Sequence, residues 1–174
     1  MGNWVVYTDG SFDKNNPTEV HGACVIKNLA NGNIIPVHVL SRDEELCSGW
    51  NIGGEVLAAC AAISIIGLAS KGQQTSLEIV YDCECAGKWC ASILGTNQSG
   101  IFKITSKTRP SGQWCKDVMT KLRTSYPNLN VNWVWTKGHS TNEGNNLADK
   151  YANYDMQAAQ RDGIKITELT KGDF

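Results

Sequence analysis

Hydrophobic positions along the chain fall into short runs that predict strands. Five such runs occur, at residues 4–8, 21–28, 33–41, 77–82 and 131–136. The first and fourth are apolar on both alternating faces, as is typical of strands that lie inside a sheet. Pro36 falls in the third run and predicts an edge strand, because proline cannot donate a ladder hydrogen bond.

Longer apolar patterns predict helices between and after these strands. Residues 55–70 are Ala-rich and apolar nearly all round, which indicates a helix packed deep in the molecule and ended by Lys71 and Gly72. Three more helices are expected, from the residues after Asp82 to about Leu94, at 113–126 and at 143–160. The order β-β-β-α-β-α-α-β-α predicts an α/β sheet with helices on both faces.

Length and composition indicate one globular unit. The 174 residues are 41% hydrophobic, which suffices for a sizeable core, and we assign residues 1–160 to one domain. Residues 161–174 are polar and predict a loosely held tail. No window approaches about 18 consecutive apolar residues and the first residues lack a basic segment, so neither a membrane span nor a signal peptide is expected. We expect a monomer.

Seven cysteines are spread through the apolar patterns. Their number is odd, no paired CxxC motif occurs, and the one close pair, Cys83 and Cys85, has no further ligand at the spacing of a zinc site. Buried, reduced thiols therefore explain them better than disulfides or zinc. The expected localisation is cytoplasmic.

Positive charge is concentrated in one stretch, although the net charge of −1 argues against a globally basic nucleic-acid binder. The stretch holds Lys103, Lys107, Arg109, Lys116, Lys121 and Arg123 against a single acid, Asp117. Such a patch can hold phosphates even when the whole chain is nearly neutral. A solvated loop and helix face fits the same residues, and the pattern alone does not separate the two.

Several acids fall where a sheet of this kind collects its chemistry. Asp9 ends the first strand, Asp82 ends the fourth, Glu55 opens the central helix, and Asp149 lies near the start of the last helix. Strands one and four, joined through a helix, are expected to be parallel neighbours, and ligand sites form at the carboxyl ends of such strands. Each acid alone also fits a turn, a helix cap or a solvated helix face. Converging carboxylates need a cation to offset their repulsion, and oxygen ligands favour Mg²⁺ or Mn²⁺ over zinc.

The segments around these acids resemble the ribonuclease H family of type 1, over residues 4 to about 155. YTDGS (7–11), NIGGEVLAA (51–59) and IVYD (79–82) are similar to the segments that carry the family's first three acids. WTKGHSTNEGNNLADKYA (135–152) is similar to its last motif, in which a His precedes the final Asp by ten residues, as His139 precedes Asp149. The resemblance implies a five-stranded mixed sheet in the order 3-2-1-4-5, flanked by helices.

The resemblance also implies an endonuclease that hydrolyses the RNA strand of RNA–DNA hybrids. Two Mg²⁺ ions about 4 Å apart, with Mn²⁺ as a substitute, would be held by Asp9, Glu55, Asp82 and Asp149, and Asp9 would bridge both. One ion would activate the attacking water and the other would stabilise the leaving 3′-oxygen, so that the products carry 5′-phosphate and 3′-hydroxyl ends. His139 would help proton movement and product departure, although a loop His bonded to a neighbour fits the same position.

Substrate contacts implied by the family match this chain at several positions. Those near the acids are Gly10, Ser11 and Asn51. The basic stretch is expected to add phosphate contacts, from Lys103, Lys107 and Arg109. A contact to the 2′-hydroxyl is what allows a protein to distinguish RNA from DNA.

The chain departs from the family at three positions beside the acids. Trp50 replaces a Thr that often holds the DNA phosphate, and Ile52 stands where a second Asn is common. Glu84 stands at a nucleic-acid contact where a Gln is expected, and it adds negative charge near a phosphate. Weaker affinity, a shifted sequence preference and compensation by other residues all fit these changes.

Two other functions fit the same pattern. One is a metal nuclease or integrase of this fold that acts on DNA, although such relatives usually end their acid set differently from the His139 loop and GNNLAD. The other is a catalytically silent hybrid-binding module, although four acids would then be held together at a cost without a use.

Overall fold

A single mixed sheet forms the centre of the computed structural model, which describes residues 2–95, 109–137, 142–154 and 156–174. Five strands match the predicted runs: β1 (Gly2–Ser11), β2 (Val20–Asn28), β3 (Ile34–Ser41), β4 (Thr75–Tyr81) and β5 (Leu129–Trp135). β1, β2 and β3 form an antiparallel meander, whereas β4 lies parallel to β1 and β5 lies parallel to β4. The predicted strand order 3-2-1-4-5 and the α/β fold class are confirmed.

The helices follow the predicted pattern with shifted ends. They are α1 (Glu44–Cys47), α2 (Asn51–Ser70), α3 (Glu84–Ile93), α4 (Arg109–Ser125), α5 (Glu143–Ala152) and α6 (Met156–Arg161). The pattern does not predict α1, because a single turn is too short to show a helical period. The prediction of one continuous helix at 143–160 is wrong, because α5 ends at Ala152 and a separate helix, α6, begins at Met156. α4 starts earlier than predicted, with Pro110 in the first turn, where a missing N–H costs little.

Helices cover both faces of the sheet. A Cβ atom added to Gly10 or Gly22 would meet the backbone of α2, whereas the ring of Tyr7 lies where a side chain on Gly144 of α5 would be. Because neighbouring residues of a strand point to opposite faces, α2 and α5 lie on opposite sides of β1 and β2. α3 and α4 pack with α2.

α2 is the central core helix, as its apolar pattern predicts. Every residue from Gly53 to Ile63 is buried. In the described part of the chain, α2 alone is long and apolar enough to cross a membrane, contrary to the expectation of no such segment, but 72% of its apolar window is buried inside the protein. Lys71 and Gly72 end the helix as predicted, with φ values of 51° and 78°.

The C-terminal residues pack against the domain, so the expectation that they are loosely held is wrong. Residues Ile166–Glu168 form a sixth strand, β6, which lies parallel to β3. The backbone N–H of Lys171 donates to the Asp43 carboxylate (2.7 Å), and the ring of Phe174 lies edge-on to Trp114 with centroids 5.7 Å apart. The partners of this segment are far away in sequence, and its polar composition therefore does not reveal them.

The prediction that Pro36 lies in an edge strand is correct for the first part of β3. β6 pairs with β3 only from His38 to Leu40, so no described strand pairs with the outer edge of β3 at Pro36. The proline itself lies opposite Val25 of β2.

The cysteines are free thiols and most of them are buried, as expected. All seven are free, and only Cys83 and Cys85 are partly exposed. The buried ones are Cys24, Cys47, Cys60, Cys90 and Cys115. They belong to the core rather than to a ligand set.

Candidate active site

Three of the predicted acids converge at the carboxyl end of the parallel strands. Asp9 lies near the end of β1, Asp82 directly follows β4, and Glu55 lies in the second turn of α2. One carboxylate oxygen from each lies within 4.8 Å of the others. Asp9 and Glu55 leave only 6% and 5% of their surface exposed. Within the residues that the structure describes, no other group of His, Cys, Asp or Glu side chains has this metal-binding spacing.

A close approach of two backbones brings Glu55 to Asp9. A Cβ atom on Gly10 would fall inside contact distance of the backbone nitrogen of Glu55 and 2.6 Å from the carbonyl carbon of Gly54. A Cβ atom on Gly54 would lie 3.0 Å from the backbone nitrogen of Ser11. A side chain at either glycine would therefore push β1 and α2 apart and separate the two acids.

We expect Gly10→Ala to lower the free energy of unfolding by about 3 kcal/mol or more, because the added methyl group overlaps backbone atoms that cannot rotate away. Urea unfolding followed by circular dichroism measures the effect. Gly172→Ala is the matched control, since its Cβ atom would meet only the Thr170 hydroxyl, at 3.7 Å. Equal stability of the two variants would contradict the close approach.

Pairing between β4 and β5 holds the backbone at Asp82. The indole N–H of Trp135 donates to the Asp82 carbonyl (3.0 Å), and the backbone N–H of Thr136 donates to the Tyr81 carbonyl (2.8 Å). The N-cap residue of α3 is Cys83, so Asp82 does not cap that helix. Its carboxylate is therefore free to face the other two acids.

Burial and mutual repulsion shift the titration of the two inner carboxyls. Burial is the main cause that raises the pKa of Asp9 to about 7, a hydrogen bond with Glu55 lowers it, and the charge of Asp82 raises it. Burial, followed by the hydrogen bond with Asp9, also raises the pKa of Glu55 well above its usual range. Both shifts show that negative charge is costly here, and a cation between the acids would offset that cost.

Asp149 approaches Asp9 from α5, on the other side of the sheet. Its carboxyl interacts with that of Asp9 and raises the Asp9 pKa, but it is not among the three acids whose oxygens lie within 4.8 Å of one another. The side-chain amide of Asn153 donates to the carbonyl of Asp149 (2.8 Å) and to its Oδ1 (3.3 Å), and the Asn153 oxygen accepts from the Ser11 hydroxyl (2.9 Å). Asn153 thus connects the end of β1 with the fourth acid. The motifs do not indicate Asn153, because it lies past the end of the last one.

Comparison with known proteins identifies the family of this arrangement. The family model for RNase H matches residues 1–157. The chain belongs to the RNase H family. A ribonuclease H from Polynucleobacter asymbioticus is 26% identical over 150 residues, which make up 86% of this chain and 86% of that protein. The resemblance drawn from the motifs is confirmed.

Solved structures of an RNase H1 and of a viral reverse transcriptase share the fold. LC11-RNase H1, isolated from compost by a metagenomic approach, matches with a TM-score of 0.56 at 18% identity and covers 93% of this chain and 99% of its own. A foamy viral protease–reverse transcriptase in complex with dsDNA matches with a TM-score of 0.51 at 16% identity and covers 91% of this chain and 94% of its own. At these identities the likeness is one of fold.

Membership of the RNase H family indicates that the chain is a nuclease. The family depends on metal ions. The buried cluster of Asp9, Glu55 and Asp82 offers the carboxylate oxygens that a hard divalent cation requires. The chemistry of the family and the ligand set of this chain therefore agree.

Some of the predicted substrate-contact residues of this RNase H lie in the described part of the chain, and others lie outside it. Gly10 and Ser11 end β1, and Asn51 is exposed at the start of α2, so all three lie beside the acids. Glu84 opens α3, and its carboxylate pairs with Lys88 (3.5 Å), which reduces the expected repulsion of a phosphate. Three residues lie outside the described part of the chain and their roles stay predictions: Lys103, Lys107 and His139.

The described part of the basic stretch belongs to α4. Arg109 is the first residue of this helix, and Lys116 and Lys121 are exposed on it. The one acid of the stretch, Asp117, pairs with Lys171 of the C-terminal segment. Phosphate binding by this stretch stays a prediction.

Asn153→Ala should raise the Mg²⁺ concentration needed for half-maximal nuclease activity by about tenfold, the lower end of the range for residues that orient metal ligands. We expect the lower end of this range because Asn153 is exposed, so water can replace part of its hydrogen bonding to Asp149. Asn153→Asp should be worse, since its carboxylate would face Asp149. Initial rates against Mg²⁺ concentration provide the measurement, and an unchanged Mg²⁺ dependence would mean that Asn153 only ends α5.

Proposed function

We propose that this RNase H is an endonuclease that hydrolyses the RNA strand of RNA–DNA hybrids with two Mg²⁺ ions and leaves 5′-phosphate and 3′-hydroxyl ends. The observation that carries the proposal is the buried cluster of Asp9, Glu55 and Asp82, whose oxygens lie within 4.8 Å of one another. The likeness to the ribonuclease H of Polynucleobacter asymbioticus supports the same activity.

The ligand set favours Mg²⁺, with Mn²⁺ as a substitute. Carboxylate oxygens are hard ligands, and the cluster found among the described residues contains neither sulfur nor imidazole. The raised pKa values of Asp9 and Glu55 predict that cation binding releases protons from the site. When bound, the ions supply the positive charge that activates an attacking water and stabilises the leaving 3′-oxygen.

Each side chain of the site has a role in the proposal. Asp9 would be the central ligand for the ions, because it is the carboxylate that interacts with each of the other acids. Glu55, Asp82 and Asp149 would complete the ligand set. His139 would assist proton movement and the departure of the product.

Substrate recognition in this proposal combines contacts near the acids with distant positive charge. Gly10, Ser11 and Asn51 form the rim of the cluster and would approach the sugars and bases of the hybrid. Lys103, Lys107 and Arg109 would contact phosphates, and their contribution should weaken as salt rises. The foamy viral protein of this fold, whose structure contains dsDNA, supports a duplex as the partner.

Three labelled duplexes test the proposal directly. The protein is incubated with Mg²⁺ and RNA–DNA, RNA–RNA or DNA–DNA, and the product ends are analysed by gel mobility and by phosphatase treatment. Cutting of the RNA strand in the hybrid alone, with 5′-phosphate ends, supports the proposal. Cutting of DNA would favour a DNA-directed nuclease of this fold, and binding without cutting would favour a silent binding module.

We also propose that the protein acts as a monomer in the cytoplasm. Seven free thiols suit a reducing compartment. Light scattering after gel filtration, with and without a reducing agent, tests the monomer.

A further inference from the structure

Two aromatic side chains stack at the surface, one directly after β1 and one directly before α2, the elements that carry Asp9 and Glu55. The rings of Phe12 and Trp50 are nearly parallel, with an interplanar angle of 13° and centroids 6.1 Å apart. Trp50 leaves 59% of its surface exposed, although tryptophan is highly buried on average. We refer to Phe12 and Trp50 as the aromatic platform.

The backbone of Trp50 has a conformation that suits glycine. Its φ is 54° and its ψ is −129°, a combination in which a Cβ atom is sterically disfavoured. Trp50 is the N-cap residue of α2 but makes no side-chain capping bond. A tryptophan here therefore serves neither the local backbone nor the cap. Residues held in such conformations are concentrated at ligand sites.

The platform adjoins the acid cluster through both of its chain segments. Phe12 comes three residues after Asp9, and Trp50 directly precedes α2, in which Asn51 and Glu55 are about 6 Å apart along the helix axis. A cleft of about 470 Å³ lies against the same two rings. A duplex that presents a phosphodiester to the acids would therefore pass over or close to the platform.

We propose that the aromatic platform binds a sugar ring of the hybrid's backbone, an inference that rests on the proposed hybrid-cutting activity. The bases of a paired duplex are stacked on one another, so their faces are not open to a protein ring. The sugars line the groove edges, and their C–H faces are apolar. An aromatic face gains dispersion and burial against such a surface without leaving a polar group unpaired.

Arg42, the cation among the residues that line the cleft, is neutralised within the protein, and Glu44 adds a negative charge to the lining. Arg42 lines the cleft, and its guanidinium donates to Glu19 (3.1 Å) and to Glu168 (2.8 Å). Because two carboxylates already engage Arg42, the platform contributes apolar contact rather than attraction for phosphates. Its contribution to binding should therefore be insensitive to salt, unlike that of lysines that displace counterions.

Three substitutions at Trp50 test the inference on a blunt, fully paired hybrid. Trp50→Ala and Trp50→Gly should each raise KM about tenfold, which is within the range for loss of one stacked aromatic, while kcat stays within about twofold. Trp50→Phe should restore most of the wild-type KM. The rise in KM should be the same at low and at high salt. Leu68→Ala is the control, because Leu68 is also exposed (68%) but lies near the other end of α2.

The stability of the variants separates a binding role from a structural one. Trp50→Gly should be more stable than Trp50→Ala, because glycine adopts a φ of 54° without strain, although both variants lack the ring. An unchanged KM for Trp50→Ala overturns the inference, as does a loss of kcat with KM unchanged. A KM effect that occurs only on hybrids with a single-stranded overhang overturns the sugar assignment in favour of an unpaired base. Failure of the proposed function itself would be seen earlier, as wild-type protein that cuts no hybrid.

Discussion

Asp82→Asn should lower kcat on the RNA–DNA hybrid by on the order of 10³-fold or more. The amide has nearly the size of the carboxylate, but it removes one negative charge from the set that Asp82 forms with Asp9 and Glu55. The indole N–H of Trp135 bonds the carbonyl of residue 82, not its side chain, so the fold should be retained. Single-turnover cleavage of a labelled hybrid at saturating Mg²⁺ measures the loss.

Hybrid binding separates a chemical effect of Asp82→Asn from a structural one. Removing a negative charge beside a polyanion should leave the affinity equal or slightly higher. Asp13→Asn is the matched control, because Asp13 is an exposed carboxylate four residues after Asp9 that accepts a local bond from the backbone N–H of Asn15. This control should cut at nearly the wild-type rate. Wild-type turnover in Asp82→Asn would refute the metal assignment.

The positions of Asp9 and Asp82 could be predicted because they depend on local pattern. Each follows an apolar run that ends abruptly, and parallel neighbours in an α/β sheet end at the same edge. The apolar pattern predicts Glu55 at a helix start, whereas α2 begins at Asn51. Two glycines, Gly53 and Gly54, are weak helix formers and hide the true start of α2. Gly54 also allows α2 to approach β1 closely. The glycine that hides the start of α2 in the sequence therefore also helps to position Glu55.

Contacts between distant segments could not be predicted from the sequence. Asn153 bonds both Ser11 and Asp149, but nothing in its neighbours indicates that the end of β1 passes nearby. β6 has only three residues, too few to show an alternating pattern, and its attachment depends on β3. Such contacts arise from the folded topology, and composition alone made this segment look like a tail.

Two of the departures from the family pattern, Glu84 and Trp50, have different structural consequences. Glu84 proved to be paired with Lys88, which a spacing of four residues on a helix permits. Trp50 could be recognised as unusual from its position before Asn51, but no sequence pattern indicates its stack on Phe12 or its positive φ. The change that seemed only to remove a phosphate contact thus creates a different surface.

Metal-free Asp9→Asn should be more stable than metal-free wild-type protein at pH 8, by about 2–4 kcal/mol. Burial raises the pKa of Asp9 from 3.8 to about 7, so the folded state holds this proton over a range in which the unfolded chain has released it. The wild-type free energy of unfolding therefore falls as pH rises from about 4 to about 7. Asparagine carries no charge, so the variant escapes this loss. At pH 5 the difference should be much smaller.

The difference between the two proteins is the quantity to measure, because a second buried group titrates with the opposite sign. Burial, followed by the charge of His21, lowers the pKa of His38 from 6.5 to about 4. The unfolded histidine binds a proton that the folded one rejects, so this group makes the free energy of unfolding rise between about pH 4 and 6.5. Both proteins keep His38, and its contribution cancels in the difference. Urea unfolding in EDTA at pH 5 and pH 8 gives the four values needed.

At pH 8, Mg²⁺ should reduce or reverse the difference in the free energy of unfolding between wild-type protein and Asp9→Asn. A divalent ion binds the folded, deprotonated acids and stabilises them by mass action, and the wild type alone keeps the full ligand set. Its melting temperature should therefore respond to Mg²⁺ more than that of Asp9→Asn, and more at pH 8 than at pH 5. An equal response of both proteins would mean that the ion binds away from Asp9. Equal metal-free stability at pH 8 would mean that the carboxylates do not oppose one another, which removes the reason for a cation between them.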